Sequence, residues 1–357
     1  MQKWWNWLLW FALFCLLFVA IPITLSRQRS TQELKPMFDD YITKFNKSYN
    51  PEEYQTRFQH FVASVREIEK LNAASGLLDQ SKAQYGLTRL SDMSKTEFSE
   101  LHLSDEKIHK PAEEFGRSWR QHSRRHEHHG DRSSRRKRAA IPLQLDWRTK
   151  GVIGPVKDQG MCGACWAFST VGTIEAMAAI KSGKLVPLSV QEVIDCAGLG
   201  NSGCAGGDIC LLLDWLTLTN TAMEKEAEYP LSLTDGFCKA KKNVTGVQVQ
   251  TFTCDNFVGA EEQILTALAT HGPVTVAVNA LTWQNYLGGV IQYHCSGSAL
   301  DLNHAVELVG YDLSAEVPYY IAKNSWGKDF GNAGYVHLAI GMNICGLANE
   351  VATVDVK

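Results

Sequence analysis

The residue best placed to do chemistry in this chain is a cysteine at the point where a glycine-rich loop turns into an apolar run. In Gln159-Gly160-Met161-Cys162-Gly163-Ala164-Cys165-Trp166-Ala167-Phe168 the last glycine is Gly163, and the run opens at Cys165. A thiol at a helix N-terminus lies in the positive end of the macrodipole, and a neighbouring imidazolium lowers its pKa further, so it becomes nucleophilic near neutral pH. His304, in Leu302-Asn303-His304-Ala305-Val306, enters an apolar strand that would pin its ring and is the candidate base. Asn324, in Lys323-Asn324-Ser325-Trp326-Gly327, could fix the tautomer of that ring. Taken singly, such a cysteine reads as a small buried hydrophobe and such a histidine as a hydrogen-bonded core residue. Taken together they point to nucleophilic attack on an acyl group.

The elements that must position these groups are mixed. Val171 to Ile180 has a helical pattern closed by Gly183, while Val274 to Val278 and Tyr319 to Ala322 read as strands. Helical patterns dominate the first half of this region and strands the second, which predicts an α+β architecture of two subdomains. With 357 residues, 45% of them hydrophobic, the chain can bury a substantial core and hold more than one folding unit. Upstream, Glu53, Arg57, Phe61, Ser64, Ile68 and Asn72 fall at spacings of three and four along one long amphipathic helix that ends near Gly76. Phosphate loops, nucleic-acid signatures and metal-ligand spacings are absent from the folded part, so no cofactor, metal or nucleic-acid partner is implied.

Residues 1–26 contain a nearly unbroken apolar run from Trp4 to Ile23 and read as a secretory signal, with an uncleaved anchor as the alternative that would tie the chain to a membrane. Ten cysteines in a chain on that route predict disulfides, and the acceptor patterns at Asn46 and Asn243 fit glycosylation there. From Ala139 onward there are 12 Lys and Arg against 21 Asp and Glu, net −9, and the part before it carries net +6. Residues 117–138 are rich in Arg, His and Ser with almost no aliphatic residue, and so form a linker rather than a core. It ends in Arg135-Arg136-Lys137-Arg138, the kind of exposed basic run that processing endopeptidases of the secretory pathway cut, so a mature chain is expected to start near Ala139. Alternatively His122, His126, His128 and His129 in this linker would bind zinc or polyanions.

The segment around Cys165, with His304 and Asn324 downstream in matching order, resembles the papain-like cysteine peptidases, the family of the cathepsins. The resemblance implies a two-subdomain fold, a helical left subdomain and a β-barrel-like right one with the cleft between, in residues 139–357. It implies Cys165 as nucleophile, His304 as base, Asn324 as its orienter, Trp326 as a cover over that pair, and Gln159 as an oxyanion donor together with the Cys165 N–H. Within residues 27–116, Glu53, Arg57, Phe61, Ile68 and Asn72 keep the family's ERFNIN spacing, and Gly86 and Asp92 keep two points of its GNFD motif. Ser64, Thr88 and Leu90 depart from those patterns. This part, with the basic linker that follows it, would be an inhibitory pro-region lying along the cleft of the acidic mature domain until acid weakens the carboxylate contacts. By the same resemblance Cys162 pairs with Cys204, Cys196 with Cys238 and Cys295 with Cys345. Cys210 and Cys254 have no counterpart in that pattern and either pair with each other or remain buried thiols, their apolar or strand-like surroundings leaning toward the latter. Met161-Cys162-Gly163, Ser189 to Cys196, Trp283 to Gly289 and Asn303 to Val306 look most like the cathepsin O branch.

Substrate choice in this family rests on the pocket for the residue second before the cut, whose walls by matching would be Gly207, Ile209, Ala277, Ala305 and Glu350. Glu350 at the floor would admit a basic side chain, unless it tilts out to solvent. Phe330 stands where the family often has a second Trp on the leaving-group side. The function implied is an endopeptidase made as a zymogen, acting on proteins and peptides in the lysosome or extracellular space. A silent binding or decoy protein on the same fold is the competing reading, against which stands the joint presence of Gln159, Cys165, His304 and Asn324.

Overall fold

The computed structural model describes residues 29–75, 82–104, 141–241 and 245–357. The apolar N-terminal run, the basic linker with Arg138 and its histidines, and Asn243 lie outside the described residues. Two compact units divide the chain after Asn50.

The first unit holds helix α1 (Thr31–Lys44), started by a capping box in which Ser30 Oγ accepts from Glu33 N and a Glu33 carboxylate oxygen accepts from Ser30 N. Asn46, the first glycosylation candidate, is exposed just beyond it.

The second unit opens with α2 (Pro51–Ser75), Pro51 in the first turn where its missing N–H costs nothing. After it come β1 (Gln84–Tyr85) and α3 (Lys95–His102), the latter capped by Ser94 accepting from Glu97 N. Arg57 of α2 reaches Glu53 one turn away and, at 2.6 Å, Glu97 of α3. Asn72 Nδ2 donates to Tyr85 O, and its Oδ1 accepts from Tyr85 N, so the long helix and the strand after it are laced together.

Beyond the linker run β2 (Gln144–Asp146), α4 (Cys165–Ser182), α5 (Val190–Cys196), α6 (Ile209–Thr219), β3 (Ala222–Met223), β4 (Val247–Asp255), α7 (Glu262–Thr270), β5 (Val274–Val278), β6 (Tyr286–Gly288), β7 (Val290–Ile291), β8 (His304–Asp312), β9 (Tyr319–Lys323), β10 (Tyr335–Ala339) and β11 (Val351–Val356). Helix α4 is apolar over nearly its whole surface and is buried accordingly. One core gathers α4, α5 and α6 with Ala305, Ala352 and Val354 from the sheet. The other gathers β5, β8, β9 and β10 with Tyr85, Leu90, Phe98 and Leu103 from the segment before the linker.

The expected two-part α+β arrangement is present, but the strand half is not a closed barrel. Its order is β3-β4-β11-β5-β8-β9-β10-β7, with β2 added to β8, and the two end strands are two-residue stubs that do not pair with each other. A short sixth strand, β6, pairs instead with β1.

Cys162–Cys204, Cys196–Cys238 and Cys295–Cys345 are bridged, with Cα separations of 4.5, 4.6 and 4.8 Å. A fourth bridge, Cys210–Cys254, decides between the two alternatives and corrects the lean toward thiols: α6 packs on β4, which brings these Cα atoms to 6.0 Å. Apolar surroundings did not distinguish a bridge from a buried thiol. Among the described residues, Cys165 alone is unbridged, and no helix is long and apolar enough to cross a membrane.

Candidate active site

Cys165 is the first residue of α4, and its N-cap, Ala164, offers no side-chain cap to the first-turn N–H groups. Those donors, and the macrodipole behind them, are left for whatever lies at the helix start. The loop entering the helix is fixed by the Cys162–Cys204 bridge and by Gly163 N donating to Cys204 O. A Cβ at Gly163 would stand 2.7 Å from Cys204 O and 3.1 Å from Leu103 O, so only glycine lets three backbone segments meet beside the thiol.

His304 is the first residue of β8 and is fully buried. Its Nε2 donates to Asn324 Oδ1 at 2.7 Å, which leaves Nδ1 as the acceptor nitrogen, without a hydrogen-bond partner. Ser325 N donates to the same Asn324 oxygen at 2.9 Å and holds the amide in that orientation. The Trp326 ring lies 4.7 Å from the His304 ring at 33°, and Trp283 meets it edge-on at 5.9 Å. Phe330 braces Trp326 from its far side at 4.7 Å. The imidazole therefore sits in an aromatic cage that excludes water.

The chain before the linker occupies this cleft. Ser104 Oγ is 3.4 Å from Cys165 Sγ, and Ser104 N donates to Asn303 O at 2.7 Å. Gln159 Nε2 donates to His102 O at 3.1 Å and to Cys162 O at 2.9 Å, while its Oε1 accepts from Ser325 Oγ. The His102 ring is buried against Phe98 and Trp326. Arg89 binds Asp158 in a fork, with Nη2 at 2.8 Å from Oδ1, and also donates to Trp326 O. Thr88 and Ser91 anchor the same segment through Gln284 O and Asn285 Oδ1. The Thr88 departure from the family motif thus keeps a hydrogen-bonding role.

This cover changes the electrostatics that the sequence suggests. Burial pushes the Cys165 thiol up, only partly opposed by the Ser104 hydroxyl. Burial pushes His304 down to about 4, against the bond to Asn324, with His102 nearby adding to the fall. Covered, burial therefore favours a neutral thiol and a neutral imidazole. Asp158 is also buried in part, yet its bonds to Arg89 and Gly160 N hold its carboxyl below the usual range.

The residues expected to wall the specificity pocket converge as well. Ala277 on β5 faces Ala305 on β8 in register, and Ala277 N donates to Glu350 O just before β11 begins. In-register neighbours point to one face, so Glu350, Ala277 and Ala305 form a rung, and Ala305 packs in the core cluster with Cys165, Trp166 and Ile209. A Cβ on Gly207 would stand 2.5 Å from the Trp166 ring, so that wall too must be glycine. Glu350 does not tilt out: its Oε1 is sealed from solvent.

Sequence reasoning missed His102, Ser104, Arg89 and Asp208. Only Asp208 left a signal, as an N-cap residue ahead of an apolar run; the others act on residues far away in sequence, which no local pattern encodes.

Comparison with known proteins places this geometry. A family model described as papain family cysteine protease matches residues 141–354, and one described as cathepsin propeptide inhibitor domain matches residues 38–98. Cathepsin O of Mus musculus is 39% identical over 279 residues, 78% of this chain and 84% of that protein. Cathepsin O of Homo sapiens is 42% identical over 218 residues, covering 61% and 67%. Among solved structures, recombinant stem bromelain precursor superposes with a TM-score of 0.74 at 28% identity over 90% of this chain and 98% of that one. Procathepsin L 3 of Tenebrio molitor larval midgut gives 0.72 at 27% over 92% and 99%.

Proposed function

We propose that Cys165 is the nucleophile, His304 its base and Asn324 the residue that orients the base, since the chain belongs to the papain family of cysteine proteases and carries a cathepsin-type inhibitory propeptide. The observation that carries the assignment is the chain segment in the cleft. Gln159 grips the carbonyl of His102 and Ser104 rests on the thiol, so a peptide already lies where a substrate would.

Once the cover leaves, water and the helix start favour the thiolate, and the unpaired Nδ1 of His304 receives the thiol proton. Sγ attacks the scissile carbonyl carbon, and the oxyanion is held by Gln159 Nε2 and the Cys165 N–H. His304 returns its proton to the leaving amine, the C–N bond breaks, and a thioester remains. Water, deprotonated by His304, attacks the thioester; the acid leaves and the thiol is restored. Throughout, Asn324 Oδ1 holds Nε2–H and the Trp326 ring shields the bond.

Protein substrates and the chain's own pro-region are its partners, and the four bridges fit an oxidising compartment. In the same reading residues 1–26 are a signal or anchor, residues 27–116 the pro-region, residues 117–138 a linker cut after Arg138 by a processing endopeptidase, and residues 139–357 the mature enzyme. Asn46 and Asn243 would carry glycans, and the destination would be the lysosome or the extracellular space. Hydrolysis of a fluorogenic dipeptide amide at acid pH under mild reductant tests the assignment. Chain cleaved after Arg138 should be active and its Cys165→Ala variant inactive; turnover by the variant would refute it.

A further inference from the structure

The bridge between Cys210 and Cys254 lies outside the three that the cathepsin pattern implied, and it stands against the pocket beside the nucleophile. Cys210 is the second residue of α6 and follows Ile209, a fully buried residue on the helical side of that pocket. The Cys210 sulfur, an Asp208 oxygen and a Glu350 oxygen all lie within 4.8 Å of one another. Cys254 of β4 pairs in register with Ala352 of β11, two residues after Glu350, so Cys254, Ala352 and Glu350 present their side chains to one face of the sheet. On the far side of Glu350 the rung continues through Ala277 to Ala305. The bridge therefore ties the helical wall of the pocket to the strands that form its other wall, with a sulfur beside the floor.

The remaining attachments of this helix start are weaker or local. Two glycines, Gly206 and Gly207, lead into it, and Gly206 has a φ of 124°, so the chain ahead of α6 is free to pivot. Asp208 Oδ1 accepts from Cys210 N and Leu211 N, both at 2.8 Å, and Asp208 N donates to Asn201 Oδ1. None of these bonds reaches the sheet. Ile209, Leu212 and Leu213 pack in one cluster with Ala305, Ala352 and Val354, but apolar contact is non-directional and lets a helix slide. Cys162–Cys204 and Cys196–Cys238 join segments between β2 and β4, and Cys295–Cys345 joins segments between β7 and β11. Among the described residues, only Cys210–Cys254 fastens a helix covalently to the sheet.

We propose that Cys210 and Cys254, through their bridge, are specificity-determining residues: the bridge holds Ile209 and its own sulfur close over Glu350, so that the pocket takes an aliphatic side chain of leucine size and rejects an aromatic one. A phenylalanine ring needs depth that withdrawal of α6 from β4 would supply, and a bridge with its Cα atoms 6.0 Å apart forbids that withdrawal. The inference rests on the peptidase reading above and concerns the residue second before the cut.

The test compares kcat/KM for dipeptide amides with Leu or Phe at that position in three cleaved enzymes. One is unsubstituted, one carries Cys210→Ser with Cys254→Ser, and the control carries Cys196→Ser with Cys238→Ser. Serine nearly keeps the side-chain size while cutting the tie. The two bridges close loops of similar length, with sequence separations of 44 and 42, so their loss frees the unfolded chain to a similar degree. A general loss of stability thus touches both variants, whereas a change in the Phe-to-Leu ratio reports the pocket. The unsubstituted enzyme should favour Leu by about tenfold or more, and opening Cys210–Cys254 should raise the Phe-to-Leu ratio at least about fivefold, while the control leaves it within about twofold. Phe cleaved as readily as Leu by the unsubstituted enzyme, a ratio that the Cys210 and Cys254 replacements leave unchanged, or one that the control raises as much, would overturn the proposal. Loss of both activities in the first variant would also overturn it, by making the bridge a requirement of folding rather than of selection. No hydrolysis of either substrate by the unsubstituted enzyme would instead overturn the peptidase reading on which the inference depends.

Discussion

At the residue scale, each side chain of the proposed mechanism has one task set by its bonds. Gln159 is the clearest case: its oxygen is fixed by Ser325 Oγ, so its nitrogen can only face the cleft, where it already binds a carbonyl. Gln159→Ala should therefore lower kcat about a hundredfold or more with little change in KM, measured on the dipeptide substrate, because the donor acts on charge that develops during reaction. A change confined to KM would mean that Gln159 only binds substrate. Cys165, His304, Asn324 and Gln159 were legible in the sequence because each lies in a short motif. The residues that cover them were not, since Ser104 and His102 reach the thiol and Gln159 only through folding of a segment some sixty residues away.

At the scale of elements, the site straddles the helical and strand halves, and Lys323 of β9 interacts electrostatically with Glu175 of α4 across them. Lys323, the residue before Asn324 at the end of β9, is nearly buried and donates to Glu307 of β8 at 3.1 Å. Lys157, in the loop before Gln159, bonds Glu175 of α4 and Glu226. Such pairs do little for stability against an apolar substitute, but removing one partner strands a buried charge. Glu307→Ala should accordingly destabilise the mature domain by about 3 kcal/mol in denaturant unfolding, and a loss below about 1 kcal/mol would show that Lys323 finds water. The sequence predicted the long helix, α4 and β5 closely, because periodicity and caps are local. Whether the barrel-like sheet closes, and whether Cys210 pairs with Cys254, were not legible, because strand pairing at sheet edges and the seating of α6 on β4 are settled by tertiary packing.

For the whole molecule, the question is what lifts the pro-segment. Acid weakening of carboxylate contacts was the sequence expectation, but Asp158, the partner of Arg89, is held below the usual carboxylate range and stays charged in mild acid. His304 titrates in the relevant window. Covered, burial holds its pKa down at about 4, and lifting the pro-segment relieves part of that burial, so His304 is more readily protonated in the open state than in the covered one. Docking is thus strongest where His304 stays neutral and weakens as pH falls toward 4. After cleavage at the linker, affinity of the released pro-segment for the mature enzyme should fall steadily over this range, measured by inhibition. A midpoint only below the carboxylate range would return the role to Asp158.

The account depends most on Cys165 being both the nucleophile and the group that the pro-segment covers. An irreversible thiol-alkylating reagent at mildly acid pH, followed by peptide mass mapping, measures both at once. The account predicts rapid labelling at Cys165 alone in the cleaved enzyme, with hydrolysis lost in proportion, and labelling slower by at least about tenfold in the uncleaved chain. Equal labelling rates in the two forms, or hydrolysis that survives complete modification of Cys165, would contradict it.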